Sequence, residues 1–229
     1  GLPNERGKRT SMNFLSVAFK RLTPVRLIAI GFALTILLGS VLLIMPFSVK
    51  DGVELEYIDA LYTSTSAVCV TGLIAVDAGD TFTPLGQFIL AALIQVGGLG
   101  VTTILAMGKR MDLKSRNVIK EAVNLDSGKG IVNFVKSIFI TTVIIELIGA
   151  ALSFTVFVQD YPVGRAIGIS LFHSVAAFNN SGVDILGNLQ NLIPYRDNVM
   201  LNLVTCGLII FGGIGFLVIR EMWTKKFHF

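Results

Sequence analysis

The chain has 229 residues, of which 53% are hydrophobic and only 15% charged, with a mean hydropathy of +0.73. A soluble domain carries about 25% charged residues, so the composition argues against an ordinary soluble domain and for one membrane unit. The net charge of +4 is no nucleic-acid signature once the charges are placed.

Arg6, Lys8, Arg9, Lys20, Arg21 and Arg26 precede the first apolar run, seven basic residues from Lys109 to Lys136 separate the second from the third, and Arg220, Lys225 and Lys226 follow the fourth. Only Lys50, Arg165 and Arg196 fall elsewhere. By the positive-inside rule both ends and the middle connection face the cytoplasm. The remaining connections hold Asp51, Glu54, Glu56, Asp59, Asp77, Asp80, Asp160, Asp184 and Asp197. Such an acidic outer vestibule raises local cation concentration, although topology bias is the plainer account of any single acid.

In chain order, residues 1–26 read as a cytoplasmic arm, and a helix starting just after Pro24 is expected to cross over Leu27–Pro46. Leu61–Leu73 follows, reading Leu-Tyr-Thr-Ser-Thr-Ser-Ala-Val-Cys-Val-Thr-Gly-Leu. It starts as a helix expected to end near Ala67, with Asp59 in its first turn, where a carboxylate suits the dipole. About ten helical residues cover only half of a bilayer core. The segment must therefore dip in and return, and backbone left unpaired at that depth is tolerated only inside protein or beside a water-filled path.

The chain then climbs out through Leu73–Thr83 and crosses back over Leu85–Met107. Gly97, Gly98 and Gly100 in that crossing allow either close helix packing or a hinge. A polar cytoplasmic loop covers 108–130, with a short helix around Lys114–Asn124. The third crossing, about Asn133–Val158, contains Glu146. A carboxylate at that depth needs a partner; a hydrogen bond to a neighbouring helix is favoured over a proton or ion role.

Leu171–Val183 then repeats Leu61–Leu73 at a constant offset, matching Leu61, Ser64, Ala67 and Gly72 with Leu171, Ser174, Ala177 and Gly182. Phe211–Phe216, with Gly212, Gly213 and Gly215, repeats Val96–Val101. The same order of crossing, half-helix, glycine, crossing and glycine triplet found twice is a strong sign of an internal repeat. The fold class is therefore an all-α membrane protein of two helix–pore loop–helix repeats, 27–107 and 131–222, with 223–229 opening a further cytoplasmic segment. Both repeats start and end in the cytoplasm, so they are parallel. Gly72 and Gly182 suit a loop that aims successive carbonyls at one axis, with Thr71, Asn179, Asn180 and Ser181 bracing it. His173 reads as a solvated or core-bonded imidazole, and Cys69 and Cys206 as neither disulfide nor metal ligands.

Thr-Ser-Ala-Val-Cys-Val-Thr-Gly-Leu (65–73), Ile-Gln-Val-Gly-Gly-Leu-Gly (94–100), Phe-His-Ser-Val-Ala-Ala-Phe-Asn-Asn-Ser-Gly (172–182) and Gly-Gly-Ile-Gly-Phe (212–216) resemble the Trk/Ktr/HKT superfamily, and within it the membrane subunit of bacterial Ktr potassium uptake systems. The resemblance runs from Leu27 to the C-terminus. It implies a potassium-translocating subunit in the plasma membrane, multi-pass, with a cytoplasmic N-terminus and no enzymatic activity. It further implies filter glycines at Gly72 and Gly182, and potassium ligands in the carbonyls of Cys69, Val70 and Thr71 and of Asn179, Asn180 and Ser181. In plant relatives a Ser at the first glycine goes with sodium selectivity, so Gly72 favours potassium. The family forms homodimers on a cytosolic ring of nucleotide-binding regulatory subunits, with sodium often stimulating uptake and no organic cofactor. One chain of the family carries four such repeats around its pore. This sequence carries two, so it reads as a fragment, or else as a half-size protein of which two copies combine. Weighed against this are a potassium channel with a duplicated pore unit, a sodium/potassium transporter of the same superfamily, a membrane enzyme and a scaffold. The channel would show a Gly-Tyr-Gly-like filter, the enzyme clustered His, Cys or carboxylates inside the crossings. A scaffold leaves the two glycine-ended half-helices unexplained.

Overall fold

The structure is a computed structural model and describes residues 24–100, 131–214 and 218. Residues 1–23 of the expected arm, the 108–130 loop with its short helix, the 223–229 segment and Gly215 lie outside the described residues, as do all the basic residues of the three stretches expected to be cytoplasmic except Arg26 and Lys136. Among the described residues there are seven α-helices and no strand: α1 Pro24–Ile44, α2 Tyr57–Cys69, α3 Ala78–Thr81, α4 Pro84–Leu99, α5 Ile131–Phe157, α6 Val163–Phe178 and α7 Val199–Ile214.

The first helix already includes Pro24, the first residue described. The helix boundaries correct three further details. The second helix runs on to Cys69 rather than stopping near Ala67. The climb after Gly72 contains α3, capped by Asp77, whose side chain accepts from the Asp80 amide. And α4 closes at Leu99, where Gly100 takes φ +81°, a conformation open to glycine; 101–107 lie outside the described residues.

The two halves are built alike. In each, a helix followed by a glycine-bearing stretch is packed between two apolar helices, α2 between α1 and α4, and α6 between α5 and the equally long α7. After each glycine the chain returns to the level at which its short helix began. In the first half, Lys50 N–H donates to the Thr81 carbonyl (2.9 Å) and Thr83 N–H to the Ser48 carbonyl (2.9 Å). In the second, the Tyr195 hydroxyl donates to Asp160 Oδ2 (2.8 Å) and its ring meets Phe157 edge-on. Both halves thus turn back at the same end of the molecule.

The buried core runs through both halves, from Leu43, Ala60, Val68, Phe82, Leu90 and Ile94 to Phe157, Ala166, Ile169 and Leu201. The outside is apolar: Leu38 is 65% exposed, Ile148 56% and Leu203 67%. Within α5, Lys136–Phe157 is long and apolar enough to cross a membrane; Ile28–Ile44, α4, α6 and α7 are shorter apolar helices among the described residues.

Glycines set how closely the helices approach. A Cβ on Gly39 would strike Ser64 Oγ and, at 2.7 Å, Leu93; a Cβ on Gly149 would meet Ser174 Oγ at 2.6 Å and Leu208 at 2.7 Å. A Cβ on Gly97 would collide with the Val68 carbonyl, and on Gly212 with the Phe178 carbonyl. These obstacles are backbone, so they cannot swing aside. Gly97→Ala is accordingly expected to destabilise the purified protein by about 1–3 kcal/mol. Gly164→Ala, with open space around it, is expected to be neutral or slightly stabilising. Thermal unfolding of the two variants side by side checks the difference.

Candidate ion-conducting site

The stretches that follow α2 and α6 meet each other at Gly72 and Ser181–Gly182. Past α2, the N–H of Val70 donates to the Ala67 carbonyl (3.3 Å) and that of Thr71 to Ser66 (3.0 Å). Past α6, Asn180 donates to Ala177 (3.1 Å) and Ser181 to Ala176 (2.9 Å). The backbones correspond residue for residue: Val70 (φ +53°) and Gly72 (+71°) in the first strand, Asn180 (+58°) and Gly182 (+70°) in the second, with Thr71 and Ser181 between them at ordinary φ. Asparagine and glycine accept the left-handed region; valine, branched at Cβ, is strained there by about 1–3 kcal/mol.

The strands touch at their glycines. A Cβ on Gly72 would stand 2.6 Å from the Ser181 carbonyl oxygen and 3.6 Å from the Gly182 Cα. Thr71, Asn180 and Gly182 are exposed at this junction, while Ser66, Ala67, Ala177, Phe178 and Ser181 behind it are buried. The Cys69 thiol is free and exposed, as is that of Cys206. Each short helix points its C-terminus, the negative end of its dipole, toward the junction. Among the described residues no group of three or more His, Cys, Asp or Glu side chains could hold a metal ion.

The expected bracing side chains act differently in the two strands. Thr71 Oγ1 donates to Ser66 Oγ (3.1 Å), and Ser66 Oγ donates to the Leu73 carbonyl (2.7 Å). Asn179 donates through Nδ2 to Gln95 Oε1 (2.8 Å), Glu146 Oε1 (3.3 Å) and the Val175 carbonyl (2.9 Å). Asn180 Nδ2 turns back to the Phe178 carbonyl (3.2 Å), and Ser181 Oγ accepts from Val183 N–H (3.4 Å). Glu146 thus has the partner on a neighbouring element that its depth requires. His173 is buried, its Nε2 3.0 Å from Thr205 Oγ1, so it is bonded to the core and not solvated. Of the glycine triplets, Gly97 and Gly98 press on Val68 and Asn179, and Gly212 presses on Phe178; a Cβ on Gly213 would stand 3.9 Å from Asn180 Nδ2.

Sequence reasoning missed two features. One is the pair Gly39 and Gly149, which seat Ser64 and Ser174 so that their hydroxyls donate to the Ile36 (2.8 Å) and Glu146 (2.6 Å) carbonyls. The constant offset between the halves, carried back into α1 and α5, would have found it. The other is the work of the outer acids. Asp80 Oδ2 accepts from Asn188 N–H (2.7 Å) and Asp77 Oδ2 from Leu189 N–H (2.6 Å), tying the outer ends of the two halves together. Asn188 and Leu189 are both left-handed, and each gives its N–H to a different carboxylate. Nothing in the residue pattern pairs these positions.

Asp80→Ala is expected to cost about 1 kcal/mol and to open the 187–191 loop to protease, read by thermal unfolding and limited digestion. Asp184 lies beside this clamp. Burial holds its carboxyl above the usual range against a hydrogen bond from Leu186 N–H, and the charges of Asp77 and Asp80 push the same way. The folded state therefore binds this proton more tightly than the unfolded chain does. Its contribution to stability is full below the unfolded value and is lost as pH rises through the raised one. Asp184→Asn is expected to flatten that limb of the stability profile, measured from about pH 4 to 7.

Comparison with known proteins places this geometry. Residues 28–228 match the family model TrkH, described as a cation transport protein. The chain is 40% identical over 208 residues to the potassium/sodium uptake protein NtpJ of Enterococcus hirae, covering 89% of this chain and 46% of that protein. It is 41% identical over 215 residues to the Ktr system potassium uptake protein B of Bacillus subtilis (92% and 47%), and 35% identical over 212 residues to that of Vibrio alginolyticus (89% and 46%). The chain spans about half the length of the curated relatives it matches. These relatives are named as uptake proteins rather than enzymes, and a membrane setting agrees with the apolar outside of α1, α5 and α7. With two thin-walled strands set glycine to glycine and a family match over nearly its whole length, this chain belongs to the TrkH family of cation transport proteins.

Proposed function

We propose that this chain supplies two of the walls of a potassium-uptake pore in the plasma membrane. Residues 27–107 and 131–222 each form one helix–pore loop–helix unit, with 1–26, 108–130 and 223–229 on the cytoplasmic side. The carbonyls of Cys69, Val70 and Thr71 and of Asn179, Asn180 and Ser181 replace the water around a potassium ion, with Gly72 and Gly182 shaping the strands. The single observation that carries this is the meeting of two strands in which every second residue is left-handed: Val70 and Gly72, Asn180 and Gly182. In an extended strand successive carbonyls point to opposite sides. Alternating the hand of the backbone turns them to one side, and only bare backbone stands at the contact. Two negative helix ends add to the field.

Cations gather at the outer acids, lose water to the carbonyls and are driven inward by about 2.3 kcal/mol per charge for each 100 mV of membrane potential. Each filter strand carries one glycine rather than a Gly-Tyr-Gly run, so few ion sites stack and selectivity is moderate. Two units do not enclose a path, so two further pore units complete it, in a homodimer over a cytosolic nucleotide-binding ring. Sodium is the second cation to consider, because one similar protein is named for potassium and sodium together.

The test uses the two glycines. Gly72→Ala meets both a positive φ and the Ser181 carbonyl, whereas Gly182→Ala meets a positive φ with only the Gly72 Cα, at 3.7 Å. In cells lacking their own potassium uptake, Gly72→Ala is expected to lower potassium uptake by at least about tenfold, the equivalent of 1.4 kcal/mol, with Gly182→Ala milder. Wild-type uptake and potassium-to-sodium preference in Gly72→Ala, at normal membrane abundance, would overturn the assignment.

A further inference from the structure

The two strands share a backbone but not a support. The first is braced from within its own loop, by Thr71 on Ser66 and Ser66 on the Leu73 carbonyl. At the offset that matches Gly72 with Gly182, Ser66 corresponds to Ala176. The second strand therefore lacks the central hydroxyl of that brace.

What it has instead is Asn179, which caps α6 and is buried. Its carboxamide is gripped from two other helices, by Gln95 of α4 and by Glu146 of α5. Gly98 of α4 lies flat against it, so that a Cβ there would strike the Asn179 side-chain oxygen. Three helices thus converge on one side chain, and one of them belongs to the other half of the molecule.

The fold does not demand this arrangement. At matching places in the first half stand Cys69 for Asn179 and Ile36 for Glu146, and in α7 Ile210 stands for Gln95. There the short helix is seated by Ser64 on the Ile36 carbonyl, as Ser174 seats α6 on that of Glu146, with no carboxamide or carboxylate side chain added. A buried polar network specifies one geometry at the cost of desolvating its members, so its presence at one strand alone calls for a role at that strand. The peptide it fixes is that of Asn179, the first of the second strand's carbonyls.

We propose that Gln95 and Glu146 are positioning residues that set the second filter strand through the Asn179 carboxamide, and thereby the preference among monovalent cations. This rests on the filter reading above. Because Gln95 stands one turn before Gly98 and Gly100, any displacement of the end of α4 is also delivered to the strand of the opposite half.

The experiment compares Gln95→Met, Glu146→Met and Glu146→Gln in the protein as encoded, by potassium uptake with sodium as competitor and by potassium-dependent thermal stabilisation of the purified protein. Met keeps the length of each side chain and removes the hydrogen bond; Gln at 146 keeps an acceptor for Asn179. Both Met variants are expected to raise the potassium KM relative to the sodium inhibition constant by about fivefold or more, with a smaller change in maximal rate. Glu146→Gln is expected to stay within about twofold of wild type. The potassium concentration giving half-maximal thermal stabilisation should shift in the same order, so a variant poorly represented in the membrane is still read. Unshifted Met variants by both measures, or Glu146→Gln shifted as far as Glu146→Met, would overturn the proposal. Gly72→Ala is run alongside. If it alters selectivity while the Met variants do not, only the positioning role fails; if it too leaves selectivity unchanged, the filter reading itself fails.

Discussion

The contact between Gly72 and the Ser181–Gly182 backbone is the constraint on which the other features depend. Two peptide chains come within van der Waals reach there with no side chain between them. For that to happen each chain must arrive from a short helix ending at the right depth, and each helix must be held in place by neighbours that come equally close. The glycines of the flanking helices are the means. Gly39 and Gly149 admit Ser64 and Ser174 from one side, and Gly97 and Gly212 admit the last carbonyls of α2 and α6 from the other. In lipid, where association is not driven by expelling water, such close backbone packing and the hydrogen bonds it allows are the main attractive terms. The cost in helix propensity that three glycines would carry in water is offset here by contact.

Likeness between the halves goes down to single hydrogen bonds. Ser64 with Ile36 and Ser174 with Glu146, or Thr71 with Ser66 and Ser181 with Ala176, are the same bond made twice. The departures are therefore informative. The second half inserts a longer connection, Gly187–Asn198, between its strand and α7, and that loop is where Asp77 and Asp80 reach across. It also places a carboxylate and a carboxamide where the first half has Ile36 and Cys69. Each half keeps the common frame and adds polar groups where it meets the other, so the asymmetry is concentrated at the junction.

Much of this was legible in the residues. The glycines, the repeated order of helix, glycine and helix, and the partner required by Glu146 follow from length, hydropathy and offset, because those rules act locally; α6, at 16 residues as long as α4 and α7, is not the half-length helix expected. What escaped was tertiary. Cys69 as the last helical residue depends on α4 and α1 packing along α2, and helix ends are where local propensity says least. The short helix Ala78–Thr81 is a single turn, held by the Asp77 cap and by Lys50 Nζ donating to the Gly79 carbonyl (2.6 Å). The junction of Gln95 with Asn179 spans 84 positions, and no periodicity within either segment pairs them.

The outer acids show how one set of charges serves two demands. As a vestibule they need only be negative and near the opening, and composition suffices to suggest it. The structure gives Asp77 and Asp80 a second task, in which each carboxylate accepts one N–H from a left-handed residue of the other half. The tasks are compatible because a carboxylate that accepts from backbone keeps its charge and has lone pairs left over. In the proposed pore, the long-range field that concentrates cations would come from the same carboxylates that tie α3 to the 187–191 loop. An acid replaced by its amide would keep much of the tie and lose the field, and one replaced by alanine would lose both. That separates attraction of the ion from alignment of the carbonyls that receive it.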